Sequence, residues 1–225
     1  MFLKVAAVAE AVGVDEKTVL NWIRQQGLPA HKQDDRYQIN RVDLLEWATA
    51  RGIVIPPGVF AANDDAPQLP SVSEALARGG IHYGLPGDSP ETALREVVSR
   101  LTLPPGLDPE FLLQTLLARE ALGSTAFGNG IAIPHVRNPI VGQTGQSAIS
   151  LCFLKNPIDF DAIDGKPVTI LFTFVTVNVR EHLHLLAKLA FLLHDQNFQA
   201  LLHAPGTEAE IMSAITALEE TIIRR

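Results

Sequence analysis

The stretch Gly123-Ser-Thr-Ala-Phe-Gly-Asn-Gly-Ile-Ala-Ile-Pro-His135 decides how the rest of this chain is read. Asn129-Gly130 is a tight-turn pair, Gly128 supplies a small residue beside it, and the β-branched residues that follow read as a short strand over 131–135. Pro134 fixes its own φ and pushes Ile133 into the extended region. His135 therefore leaves the strand in a constrained direction. That frame suits a histidine that presents one ring nitrogen to a reacting partner while a hydrogen bond holds the other. It also fits a core histidine in an edge strand, so the surroundings must decide.

Outward from this stretch the pattern is α/β. Helices are predicted over 91–101, behind the Ser89-Pro90 start signal, and over 109–122. Residues 148–154 and 169–177 read as strands, the second β-branched and continuous enough to be buried on both faces. Helices follow over 181–193, 198–203 and 207–218. Alternation of this kind predicts an α/β sandwich with a mixed sheet over 71–225.

A breaker-rich stretch, 52–70, separates that domain from the N-terminal part and reads as a linker, packed in part through Val54, Ile55 and Phe60. Residues 1–51 read as a winged helix-turn-helix. A helix over 5–12 stops at Gly13, Asp15 caps a second helix over 16–26, and Gly27 ends it. Val19, Trp22 and Ile23 form its core stripe, whereas Lys17, Asn21 and Arg24 recur at i, i+4, i+7 on another face. Donor side chains at that spacing suit phosphates and base edges, or form a solvated helix face. Asp34-Asp35 turns a two-stranded wing over 28–39, and Asn40 caps a third helix whose Leu44, Leu45, Trp47 and Ala48 pack back.

Charge divides along the same boundary. The first 51 residues carry seven basic and seven acidic side chains; the remainder carries 11 basic and 18 acidic, so the formal charge of −7 belongs to the second domain. An acidic domain does not attract nucleic acid through its bulk field, which leaves any such role to the N-terminal module. Neutrality, and acids at the wing tip, limit that module's sequence-independent affinity and favour a DNA-binding homo-oligomer, a C2 dimer first, over a monomer. The single Cys152 sits in an apolar run and excludes an intramolecular disulfide; with no membrane-length apolar run and no convincing signal peptide, the expected compartment is the cytoplasm.

The second domain resembles the enzyme IIA domains of the fructose/mannitol and nitrogen-regulatory class of the phosphoenolpyruvate-dependent phosphotransferase system. Besides Ile133-Pro-His135, the resemblance rests on Leu117-Ala-Arg-Glu120, Asn156-Pro-Ile-Asp-Phe-Asp-Ala-Ile-Asp-Gly-Lys-Pro-Val168, Glu181-His-Leu-His-Leu-Leu186 and the helix start Gly84-Leu-Pro-Gly-Asp-Ser-Pro-Glu-Thr-Ala-Leu94. It spans residues 70–225. It implies that His135 accepts a phosphoryl group from the phosphocarrier protein HPr or its nitrogen-branch relative. Arg119 is implied as the active-site guanidinium, the alternative being a simple pair with a nearby acid. His182 is implied as the second histidine that orients or stabilises the first. Ser124 and Thr125 either donate hydroxyls or close the turn. Ala126-Phe127 and Val136 stand where family members often carry Gly-Ile and a small residue, which narrows the set of phosphocarriers that can dock. Arg137 either adds positive charge there or lies on a solvated loop.

The first fifty residues resemble the excisionase/MerR-like winged helix-turn-helix family through Lys17-Thr-Val-Leu-Asn-Trp-Ile-Arg24, Leu28-Pro29 and Arg41-Val-Asp-Leu-Leu-Glu-Trp47. No cofactor and no metal is expected. His182 and His184 are spaced i, i+2, on opposite sides of a helix, whereas helical ligand pairs need i, i+4. His31, His82, His194 and His203 carry no partner signature. No phosphate-cradling or dinucleotide fingerprint is present. Two functions follow: a phosphohistidine-bearing regulator of transcription whose N-terminal module binds DNA or protein, or a relay subunit passing phosphate to a sugar permease.

Overall fold

A computed structural model describes residues 2–34, 36–59, 69–136 and 145–223. The chain begins with β1 (Phe2–Lys4), α1 (Val5–Val12), α2 (Glu16–Gln25), β2 (His31–Gln33), β3 (Arg36–Asn40) and α3 (Arg41–Thr49). Local signals act where the sequence places them. Gly13 ends α1 at φ 72°, the Asp15 carboxylate accepts from Thr18 N–H at 2.8 Å, and the Asn40 side chain accepts from Val42 N–H at 2.8 Å. Val8, Val19, Leu28, Ile39 and Leu44 form the core, closed by Trp22 and Trp47 with ring centroids 5.1 Å apart. The wing is present as β2 and β3. The structure adds β1, which pairs antiparallel with β3 to give the order β1-β3-β2. Three residues carry no periodicity of their own; β1 exists because β3 offers it a free edge.

Within 52–70, Ile55 is buried, Val54 is exposed, and Pro57–Val59 form a 3-10 turn. Phe60 lies outside the described residues, as does Arg137.

The second domain runs α4 (Val72–Gly79), β4 (Ile81–Leu85), α5 (Pro90–Arg100), α6 (Pro109–Ala121), β5 (Ala126–Gly128), β6 (Ile131–Ala132), β7 (Ala148–Ile158), β8 (Val168–Val175), α7 (Val179–Leu192), α8 (Gln196–His203) and α9 (Glu208–Ile223). The five-stranded sheet has the order β4-β7-β8-β6-β5; β4–β7 and β6–β8 are parallel and the other pairs antiparallel. It is the mixed sheet expected. Alternate residues of the central strands feed two cores, as the pleat requires. Phe172 and Phe174 of β8 join Leu185, Leu189 and Ile215 on one face; Leu171 and Val175 join Leu94, Val97 and Leu112 on the other.

Three elements of the second domain are absent from the sequence reading. α4 and β4 fall between the linker and the first expected helix, and β5 precedes the Asn-Gly turn. α4 is set by a capping box, Ser71 with Glu74, and by Gly79, where a Cβ would collide with the Ile149 carbonyl of β7. β5 and β6 form a hairpin around Asn129 (φ 51°) and Gly130 (φ 72°), the backbone geometry a two-residue turn demands. The strand expected over 131–135 is shorter than its pattern. Regular pairing stops at Ala132 because Pro134 has no N–H to give, and His135 returns to the sheet through an isolated bridge to Phe174.

Candidate functional site

His135 sits against the central strand of the sheet, with its main chain held by Phe174 N–H donating to the Pro134 carbonyl at 3.0 Å. Its ring is buried, and Nδ1 lies 2.8 Å from the Ile133 carbonyl oxygen. A carbonyl only accepts, so Nδ1 carries the proton and the lone pair of the neutral ring is on Nε2.

Three residues gather around the His135 ring: His182, Arg119 and Glu46. The His182 ring, from the first turns of α7, has its centroid 5.2 Å from that of His135. Burial first, then the neighbouring His135, pushes the His182 pKa down to about 3, so it is neutral at any physiological pH. Neither of its ring nitrogens has a hydrogen-bond partner among the described residues. Its helical neighbour His184 points elsewhere, in keeping with the i, i+2 spacing, and is lowered to about 4, chiefly by burial.

Arg119, in the last turn of α6, donates through Nη1 to the Gly123 carbonyl at 2.8 Å. Its Nη2 lies 3.2 Å from Oε2 of Glu46, while its Nε is buried without a hydrogen-bond partner among the described residues. The expectation of a nearby acid is thus half right: the acid is real, but it comes from α3 of the N-terminal module. The other oxygen of the same carboxylate, Oε1, is 3.4 Å from Nε2 of His135.

Thr125 and Ser124 close the loop between α6 and β5. The Thr125 hydroxyl donates to Glu120 at 2.5 Å and the Ser124 hydroxyl to the Phe160 carbonyl, so both protons are engaged in loop contacts. Both residues nevertheless line the small cavity beside His135, about 10 Å³, with Glu46, Thr49 and Arg119. Lys17, Asn21 and Arg24 are exposed on α2, apart from this cluster.

Donor atoms of Glu46, His135 and His182 lie within 4.8 Å of one another, a set able to ligate a divalent cation. The Arg119 guanidinium already places a positive charge on that carboxylate, which opposes a second one beside it.

Residues 76–217 match the family described as phosphoenolpyruvate-dependent sugar phosphotransferase system, EIIA 2. The chain belongs to that family. Ahead of the EIIA domain, residues 2–52 match a helix-turn-helix domain. A nitrogen regulatory protein of Pseudomonas aeruginosa is 38% identical over 143 residues, covering 61% of this chain and 90% of its own length. One of Escherichia coli K12 is 35% identical over 163 residues, covering 71% of this chain and 96% of its own. Among solved structures, the nitrogen regulatory protein IIA-Ntr from Neisseria meningitidis superposes with a TM-score of 0.56 at 28% identity, covering 64% of this chain and 98% of its own. This EIIA chain is thus IIA-Ntr-like. Among its described residues no helix is long and apolar enough to cross a membrane.

Glu46 is the residue that sequence reasoning passed over. It lies inside the Arg41-Val-Asp-Leu-Leu-Glu-Trp47 run, read there as scaffold. One signal was available: an acid with Leu45 and Trp47 on either side, in a helix buried at Leu44, Ala48 and Thr49 as well, has to find a cation.

Proposed function

We propose that this EIIA protein accepts a phosphoryl group on Nε2 of His135 from a phosphocarrier, HPr or its nitrogen-branch relative. We propose further that the phosphorylation state of His135 governs a transcriptional role of the helix-turn-helix module. The observation that carries the reading is the Nδ1 contact to the Ile133 carbonyl, which leaves the nucleophilic lone pair on Nε2, in a ring that packs against His182 and lines one small cavity with Arg119.

In the transfer, the Nε2 lone pair forms the bond to phosphorus as the bond from phosphorus to the donor breaks, and the donor keeps that electron pair. Nδ1 retains its proton throughout. Phosphoryl transfer is catalysed mainly by positioning and by neutralising the equatorial oxygens. Arg119 meets those oxygens with its planar fork, including the Nε–H that is otherwise unpartnered. Neutral His182 donates a ring N–H to the third oxygen and keeps the His135 ring from turning. The carboxylates and hydroxyls of Glu120, Ser124 and Thr125 hold the loop on which Arg119 depends.

For the module, exposed Lys17, Asn21 and Arg24 form the surface for DNA, used by a C2 dimer because one such helix reads only a few base pairs. Incubation with phosphoenolpyruvate, enzyme I and the phosphocarrier tests the reading. An acid-labile label is expected on the wild type and none on His135→Ala; label persisting in that variant would place the nucleophile elsewhere. Replacing Lys17, Asn21 and Arg24 together by Ala should abolish gel-shift binding at low salt with labelling intact. Onward passage of the label to a sugar permease domain, with no DNA retained by the wild type, would select the relay reading instead.

A further inference from the structure

The two domains meet at His135. One carboxylate, that of Glu46, spans 3.2 Å to Arg119 and 3.4 Å to His135 Nε2, the two groups assigned above to the phosphoryl group and its acceptor atom. A separation of 3.4 Å is contact distance and admits no third atom. The side chains of all three residues are 11% exposed or less. The cavity between them, about 10 Å³, is at the limit for one water and too small for a phosphoryl group.

The seam extends beyond that contact. Trp47 and Ile55 of the N-terminal part belong to the same continuous apolar core as Phe127 and Leu186 of the EIIA domain. His194 of the EIIA domain reaches the Gly52 carbonyl with Nε2 at 3.0 Å, a partner its sequence context did not announce.

We infer that α3 is a plug for the phosphorylation site, that Glu46 stands where the phosphoryl group will go, and that phosphorylation of His135 expels it. This rests on the assignment of His135 as the acceptor. Three features point the same way. The carboxylate covers the lone pair, so a docked α3 bars both the in-line approach of a donor and the surface a phosphocarrier needs. A phosphoryl group carries more negative charge than a carboxylate and competes for the same guanidinium, so the two cannot share the site. Around the carboxylate, Arg119 Nε, the Thr49 hydroxyl and both His182 nitrogens are buried without hydrogen-bond partners among the described residues. Unmet polar groups of this kind mark an imperfect occupant, and a group with three acceptor oxygens would answer more of them.

The recognition face of α2 is exposed in the docked state. Phosphorylation therefore does not uncover Lys17, Asn21 and Arg24. It releases the module from its contact with the EIIA domain. Linkage makes the effect reciprocal: whatever docking costs phosphorylation at equilibrium, phosphorylation costs docking.

The test uses the full chain. Glu46→Gln keeps the shape and removes the charge; its initial rate of labelling should exceed the wild-type rate by roughly tenfold, within the usual range of site-to-site coupling. In the wild type, phosphorylation by phosphoramidate, a small donor that needs no docking surface, should raise amide hydrogen exchange over residues 44–49 and increase the radius of gyration in solution scattering. Phosphate on His135 with unchanged exchange over 44–49 overturns the plug and leaves the acceptor assignment standing. A Glu46→Gln rate at or below that of the wild type, with the variant folded, also overturns it. Absence of His135 label from wild type and Glu46→Gln alike, with either donor, refutes the acceptor assignment and the plug together.

Discussion

Two carboxylates, one buried and one nearly so, hold together two different seams, and they are built differently. Glu219 of α9 fastens the start of α4. It accepts from Val72 N–H at 2.8 Å, Ser73 N–H at 3.1 Å and the Ser73 hydroxyl at 2.9 Å, with Lys188 at 3.4 Å. It also lies at a helix N-terminus, where negative charge is favoured. Glu46 ties α3 to the EIIA domain through its 3.2 Å ion pair with Arg119, beside His135 Nε2 at 3.4 Å, and buried polar groups around it have no hydrogen-bond partner among the described residues. The first arrangement is short, backbone-anchored and complete, as a permanent joint must be. The second uses side chains that another anion could take over. A carboxylate's role is therefore legible in how fully its neighbours are answered, more than in how deeply it is buried.

The largest effect should come from attacking the permanent joint. Glu219→Ala leaves a nearly buried Lys188 and two helix N–H groups unanswered, and should lower stability by about 3–5 kcal/mol in urea unfolding. The labelling rate per folded molecule should not change. A loss below about 1 kcal/mol would erase the contrast between the two seams.

Next comes the exchangeable joint. In the proposed reading Arg119 both holds the plug and serves the transfer, so its removal from the wild type mixes two opposite effects. In the Glu46→Gln background the plug is already weakened, and adding Arg119→Ala should slow labelling about 100-fold relative to Glu46→Gln alone. An equal rate in the single and double variants would assign Arg119 to docking only.

The smallest effect concerns acid. His182, held near 3, and His184, near 4, have folded pKa values below the ordinary 6.5. Below about pH 6.5 the unfolded chain binds protons at these positions that the folded chain refuses, so stability is full above that pH and falls as pH drops toward the folded values. His182 alone should remove about 2 kcal/mol between pH 7 and pH 5; the more exposed His184 adds a smaller part. Urea midpoints at the two pH values measure this, and His182→Leu should flatten the profile. A flat profile in the wild type would show that His182 is solvated at its nitrogens.

The fold was mostly legible where a residue pattern acts locally, although α4 went unread despite its Ser71–Glu74 capping box. Gly13, Asp15, Asn40, Ser89 and Pro90 mark helix ends that the structure keeps, and the apolar run over β8 announces a strand covered on both faces. β1, β4 and β5 were not legible, because each is a short strand that exists only by pairing with a distant partner. The same distinction divides the site. His135 stands out through its own Pro-His context, and Arg119 and His182 follow from motifs around them. Glu46 does not, since its meaning lies in a contact across two domains that share no local sequence signal.

One bond gives the site its direction of give. The Pro134 carbonyl is tied to Phe174 of the central strand, and Phe174 is itself buried and paired with Ile149 of β7. His135 thus rests on the stiffest part of the molecule, where the main chain opens only with the whole domain. A charge added to its ring meets an unyielding wall on one side and a lone helix on the other. On the reading proposed above, the recoil goes to the helix, and a chemical event of atomic size becomes the motion of a domain.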